Sequence, residues 1–212
     1  MHKPSAPEPR LDDQPACELP AIEFVAQGSF SIYNPDNSRP ATAWQPAAQQ
    51  PRQNTQPLRI SGIASLRSHT LALIQQAQHN LCIYSSDLEP WLYNHSCIQH
   101  ACTQLLLSNP RNSLRILLHD SSRISREGHR LLALSQRLSS RCHIRTVNLD
   151  HAYAQDFWLS ADDCGLLVRQ AQQLQTGMVY YHDPARALQN LRLFNAMWDV
   201  SRADINLRSM PL

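Results

Sequence analysis

Four polar side chains stand at or just beyond the ends of apolar stretches that are typical of buried strands: Asp87, His119, Asp120 and Arg169. In open α/β sheets, ligands bind outside the carboxyl ends of the parallel strands, so these residues are candidates for an anion-binding pocket. Local roles are the alternative. His119 would then cap a helix or bond a carbonyl, and Asp120 would begin the next helix. Arg169 would pair with a buried carboxylate such as Asp156.

A row of arginines is the second candidate surface. On a predicted helix over 123–138, four of them fall within an arc of about 60°: Arg123, Arg126, Arg130 and Arg137. Residues 111–145 contain eight arginines against only Asp120 and Glu127. Such a row can neutralise the phosphates of a nucleic acid. The alternative is a solvated helix face, and the segment lacks the aromatic side chains on which single-stranded bases stack.

Metal and cofactor sites are disfavoured. His95, Cys97, His100 and Cys102 are all suitable zinc ligands, but they fall on a predicted helix over 92–108. Because a helix turns about 100° per residue, Cys97 and His100 project away from His95 and Cys102. The glycines form no cluster that opens a helix and cradles a pyrophosphate. We therefore expect no metal and no cofactor.

Proline divides the 212-residue chain, since ten of the 14 prolines lie at or before Pro57. Residues 1–57 are also rich in Gln, Ala, Asn and Ser, which predicts a disordered arm. Residues 58–212 are long enough for one globular domain with a full core. The six cysteines show no C-x-x-C pair, and neither a secretion signal nor a membrane span is visible. These features predict a reduced, cytoplasmic protein that does not enter a membrane.

The apolar periodicity of this domain alternates between helix and strand. Helices are predicted over 60–78, 92–108 and 123–138, and strands over 80–85, 113–118 and 143–147. A hairpin follows, with strands at 156–160 and 165–169, then a strand at 177–181 and a helix that begins at Asp183–Pro184. The order predicts an α/β fold with a mixed sheet flanked by helices.

At this hairpin the chain resembles the phospholipase D-like superfamily. In that family a buried strand carries His-x-Lys, an aspartate follows five residues after the lysine, and a tight turn leads into a second strand. The resemblance extends over 58–212, about one family repeat, and is closest to an uncharacterised bacterial branch. It implies a phospholipase D-like single repeat.

The chain departs from the family at the residues that carry its chemistry. If Asp162 takes the aspartate position, Gln155 takes that of the histidine nucleophile and Phe157 that of the lysine. Lys3 is the only lysine of the chain, so no shift of register restores the motif. Glutamine is a poor nucleophile, and phenylalanine brings no charge to a phosphoryl group. Asp162 is then interpreted as a turn residue.

These departures predict a non-catalytic scaffold or binding protein, a pseudoenzyme with a residual anion pocket. Two alternatives stay open. The first is an enzyme on phosphate esters that uses a nucleophile foreign to the family, for instance His119. The second is an accessory nucleic-acid-binding protein that uses the arginine row. The ligand would accordingly be a phosphorylated molecule or a nucleic acid.

The consecutive residues Phe157, Trp158 and Leu159 bear on the oligomeric state. A strand sends alternate side chains to opposite faces, so both faces of this strand need cover. Single-repeat members of the resembled family pair two copies across the catalytic strands. We therefore expect a homodimer, and a monomer if the helices of one chain supply all the cover.

Overall fold

The computed structural model describes residues 43–48, 56–148, 150, 156–171, 173, 175–204 and 207. Their elements follow one another as β1 Leu58–Ser61, α1 Ile63–Gln76, β2 Asn80–Ser85, α2 Pro90–Tyr93, α3 Ser96–Ser108, β3 Ser113–Leu118, α4 Ser122–Glu127, α5 Arg130–Arg137, β4 Cys142–Thr146, β5 Asp156–Ala161, β6 Gly165–Gln170, β7 Thr176–Tyr180 and α6 Pro184–Asp199. In this part of the chain no helix is long and apolar enough to cross a membrane.

Seven strands of the described residues form one mixed sheet in the order β1-β7-β6-β5-β2-β3-β4. The strands β2, β3 and β4 are parallel, whereas all other neighbours are antiparallel. The predicted α/β class and its mixed sheet flanked by helices are confirmed. In this order the carboxyl ends of β2 and β3 and the start of β5 meet at one edge of the sheet.

The sheet separates two apolar cores, because successive side chains of a strand point to opposite faces. Leu159 of β5 belongs to a larger core with residues of α1, α3 and α5. Its neighbour Trp158 belongs to a smaller core, to which α6 contributes Phe194, Met197 and Trp198. As predicted, α6 begins at Asp183, whose carboxylate accepts from the amide of Arg186.

Two predicted helices are broken. The helix expected over 92–108 is split into α2 and α3, and the α3 N-terminus is capped by His95, whose ring accepts from the amide of Cys97. The helix expected over 123–138 is split at Gly128, which has a φ of 73°. This left-handed conformation suits glycine and ends α4. His129 then caps α5 by accepting from the amide of Leu131.

The apolar side chains of β5 do not need a second copy of the chain to cover them. Phe157, Trp158 and Leu159 are 8%, 1% and 0% exposed within the single chain. Helices and neighbouring strands of the same chain cover both faces of β5, so this strand gives no apolar reason to pair two copies.

Most of the predicted arm, 1–57, lies outside the described residues. Residues 43–48 lie against the domain. The Trp44 ring stacks on His95 with centroids 4.2 Å apart, and the guanidinium of Arg67 lies 4.9 Å from the same ring. The amide of Ala47 donates to the carbonyl of Ser68. The arm is therefore attached to α1 and to the start of α3 at this point.

Candidate functional site

His119 lies directly after β3 in an aromatic cluster with Tyr84, Phe157 and Trp158. Its Nε2 shares a hydrogen bond of 2.5 Å with the Tyr84 hydroxyl, and the Phe157 ring meets it edge to face with centroids 5.5 Å apart. Burial lowers the pKa of His119 and raises the pKa of Tyr84 to about 12. Both side chains are therefore neutral near neutral pH, and the partner of the His119 ring among the described residues is a phenol rather than a carboxylate.

Asp87 and Asp120 have local partners. The Asp87 carboxylate accepts from Arg123 at 3.0 Å, and Arg123 also bonds Glu127 at 3.2 Å. Asp120 accepts from the amide and the hydroxyl of Ser122 at 2.8 and 2.6 Å. These hydrogen bonds lower the pKa of Asp120. Its carboxylate therefore caps the start of α4, the local role that the sequence allowed.

Arg169 is paired, but Glu89 and not Asp156 is its partner. Its Nη2 donates to Glu89 Oε1 at 2.9 Å, with the two side chains 0% and 5% exposed. The hydroxyl of Ser85 donates to the other carboxylate oxygen at 2.6 Å. The Tyr93 hydroxyl lies beside the guanidinium, and the Trp91 ring lies 5.7 Å away. This pair ties β6 to the segment after β2 inside the core, out of reach of an external anion.

The predicted anion-site residues thus have separate partners, and none of the four lines either of the two large cavities described below. The arginine row is interrupted as well. Arg123 is neutralised by Asp87 and Glu127, and Arg130 and Arg137 lie on a separate helix beyond the break at Gly128. Arg130 is half-buried and points its guanidinium at Gln99.

Asp162 lies in the tight turn between β5 and β6 with a φ of 53°. Its carboxylate accepts from three consecutive amides, those of Gln78, His79 and Asn80, at 2.9, 2.8 and 2.9 Å. The residue therefore fastens the hairpin turn to the start of β2. Gln155 lies outside the described residues.

One large concave feature of the described residues is a groove of about 900 Å³ between α6 and the face of β5, β6, β7 and β1 that α6 packs on. Its floor is apolar and aromatic, and its rim is polar. The floor consists of Trp158, Leu166, Val168, Met178, Tyr180 and Leu193. The rim includes Arg59, Asp156, Gln170, Gln173, Arg186, Gln189 and Asn190.

The charges of the groove are unevenly paired. Arg186 bonds Asp183 at 3.1 Å and lies over the Tyr180 ring at 5.0 Å. By contrast, the half-buried Asp156 and the exposed Arg59 form no salt bridge or side-chain hydrogen bond with any described residue. A carboxylate and a guanidinium that have no partner among the described residues therefore face the groove.

A second cavity of about 900 Å³ lies beside the edge strand β4. Arg137, Arg145 and Asp204 contribute its charges, and Leu207 closes part of it. The neighbouring residues 205, 206 and 208–212 lie outside the described residues. Among the residues that are described, no group of three or more His, Cys, Asp or Glu side chains is placed to hold a metal ion.

The groove was not predicted from the sequence, because β1 was not predicted and Arg59 preceded the first predicted element of the domain. Two signals point to the groove in retrospect. On the groove face, β6 carries Leu166, Val168 and Gln170, and β7 carries Tyr180, Met178 and Thr176. Both strands therefore change from apolar to polar towards the turn that joins them. On α6, residues 186, 189, 190 and 193 share one face at helical spacing.

The chain is similar to one described protein family and to several solved structures. A family model described as "Domain of unknown function (DUF7931)" matches residues 63–210. No curated protein matches the chain in sequence.

Among solved structures, the archaeal chromatin protein TrmBL2, whose structure is described as showing a novel mode of DNA binding, has 11% sequence identity and a TM-score of 0.51 over 70% of this chain and 54% of its own. This chain thus spans about half the length of that protein. Nuc from Salmonella typhimurium, a phospholipase D family member, has 15% identity and a TM-score of 0.48 over 70% of this chain and 99% of its own. NucT from Helicobacter pylori has 9% identity and a TM-score of 0.47 with the same coverages.

Proposed function

The chain belongs to the DUF7931 family, and we propose that it is a non-catalytic binding protein of phospholipase D-like type whose ligand occupies the groove beside α6. The proposal has two parts. The edge of the sheet at which the resembled family performs its chemistry is inert here, and the groove is the site of function.

Phe157 is the observation that carries the first part. If Asp162 takes the aspartate position of the resembled family, Phe157 takes the position of the catalytic lysine. It is 8% exposed and packs against His119 and Tyr84. A phosphoryl transfer enzyme needs preorganised positive charge at this place, but the site offers a benzyl ring, a neutral imidazole and a neutral phenol. The nearest buried cation, Arg169, is committed to Glu89.

The groove supports the second part. Ligand sites are concave and mostly apolar, with a few polar groups that fix orientation, and their volumes are about 300–1,000 Å³. The groove has this volume and character, and Asp156 and Arg59 supply polar groups that have no partner among the described residues.

Hydrolysis of bis-p-nitrophenyl phosphate tests the first part. We expect no turnover above the buffer rate by the wild type or by the matched variant His119→Ala. Turnover that survives repurification and disappears in His119→Ala would replace this proposal with the phosphate-ester enzyme, with His119 as its nucleophile.

A nucleic acid is the second candidate ligand, because Arg126 and Arg137 are exposed and form no salt bridge with a described residue. Duplex binding would weaken with salt, and replacing both arginines by glutamine would reduce the salt dependence by roughly one to two ions. An unchanged salt dependence would remove these arginines as the binding surface.

A further inference from the structure

Asp156 and Arg59, which have no partner in the described part of the chain, indicate a ligand that carries a positive and a negative group. Asp156 at the start of β5 is half-buried, and a carboxylate that is partly removed from water gains from a cationic partner. Arg59 on β1 is exposed and suited to a carboxylate, which its guanidinium can bind through two parallel hydrogen bonds. The groove therefore fits a molecule with a positive group at one end and a negative group at the other.

The pairing register gives the spacing of these charges. Arg59 pairs with Met178, Met178 with Val168, and Val168 with Trp158, so the four form one row across the sheet. Three strand spacings separate β1 from β5, about 14 Å in total. Asp156 lies two residues before Trp158, about 7 Å along the strand. The two Cα atoms are thus about 16 Å apart, and the inward reach of the side chains leaves roughly 10 Å for the ligand.

A span of roughly 10 Å is the length of three extended residues. The floor beneath it is apolar, with Val168 and Met178 in its centre. The rim supplies carboxamides that can bond a peptide backbone. Asn190 donates from its Nδ2 to the carbonyl of Arg186 and keeps its Oδ1 as an acceptor, and Gln189 beside it is exposed.

We propose that the groove binds short peptides with free ends, with the amino group at Asp156, the carboxylate at Arg59 and an apolar side chain over Val168 and Met178. This rests on the proposed function, in which the groove is the ligand site. A phosphate dianion fits less well, because Asp156 would repel it and Arg186 is already paired with Asp183.

Isothermal titration calorimetry with the tripeptide Ala-Leu-Ala tests the proposal. N-acetylation or C-amidation should each weaken binding to the wild type roughly tenfold, the loss of one charge-assisted contact. Asp156→Asn should bind the free peptide roughly tenfold more weakly and be indifferent to N-acetylation. Arg59→Gln should likewise bind the free peptide roughly tenfold more weakly, and C-amidation should not weaken its binding further. Arg192→Gln, an exposed change on α6 outside the groove, should bind as the wild type does.

Two outcomes would overturn the peptide assignment. The first is the absence of heat from millimolar Ala-Leu-Ala with folded wild type. The second is an acetylation penalty that persists in Asp156→Asn. Either result leaves the proposed function standing if other small molecules still shift the methyl resonance of Met178, whereas phosphodiester turnover would contradict the proposed function itself.

Discussion

The buried pair of Arg169 and Glu89 gives the sharpest stability prediction. Removing one partner leaves an uncompensated charge in the core, which costs about 3–5 kcal/mol. A domain of this size has a total unfolding free energy of about 5–15 kcal/mol, so Arg169→Met should lose a large fraction of it. Arg169 is also incompletely satisfied, because its Nε has no acceptor among the described residues. The double variant Glu89→Leu with Arg169→Met should therefore lie within about 2 kcal/mol of the wild type.

Urea unfolding followed by far-UV circular dichroism measures these differences. Arg123→Met is the matched control, since Arg123 is 45% exposed and its pair with Asp87 lies at the surface. We expect that control to lose little stability, because exposed ion pairs contribute little. Two results would show that the interpretation of Arg169 as a structural residue is wrong. In the first, Arg169→Met loses no more stability than the control. In the second, the double variant loses as much stability as Glu89→Leu and Arg169→Met lose in sum.

Three further predictions concern His129, Trp44 and Asp162. Burial lowers the pKa of His129 to about 4. Between pH 6.5 and 4 the His129 ring is therefore protonated in the unfolded chain but neutral in the folded chain. The free energy of unfolding falls as the pH drops across this range, by about 3 kcal/mol in all. In urea titrations His129→Asn, which keeps a capping side chain, should show a flatter pH profile than the exposed control His79→Asn. Trp44→Ala removes a stacked ring and a cation–π contact, so its calorimetric melting curve should show a loss of about 1 kcal/mol; an unchanged curve would mean that this contact does not hold the arm. Asp162→Ala loses three amide donors and should lower the urea midpoint by the equivalent of about 2 kcal/mol, whereas a neutral effect would contradict the role assigned to its carboxylate.

Local patterns were enough to predict much of the fold. Every strand expected between 80 and 181 is present within one residue of its predicted bounds, because apolar runs and turn residues act over short distances. The helix break at Gly128 was missed because the apolar spacing continues across it, while the φ of 73° and the cap by His129 are not visible as periodicity.

The parts that were missed depend on contacts between distant segments. β1 is a strand of four residues that forms only by pairing with β7, more than 100 residues away. Glu89 and Arg169 are separated by 80 residues, so the sequence indicated that Arg169 needed a partner but not which one. The groove combines side chains from four strands and one helix, and no single segment carries its signature.

The place at which ligands bind decides between the groove beside α6 and the edge of the sheet at His119. Methyl-labelled methionine and ring-labelled histidine report on the two competing places in one NMR titration, with Met178 on the groove floor and His119 at the sheet edge. Met197, on the buried face of α6, serves as the internal control. We expect ligands, zwitterionic peptides above all, to shift the resonance of Met178 and to leave those of His119 and Met197 unchanged. Ligands that shift the resonance of His119 while that of Met178 stays in place would contradict the assignment of the groove as the ligand site.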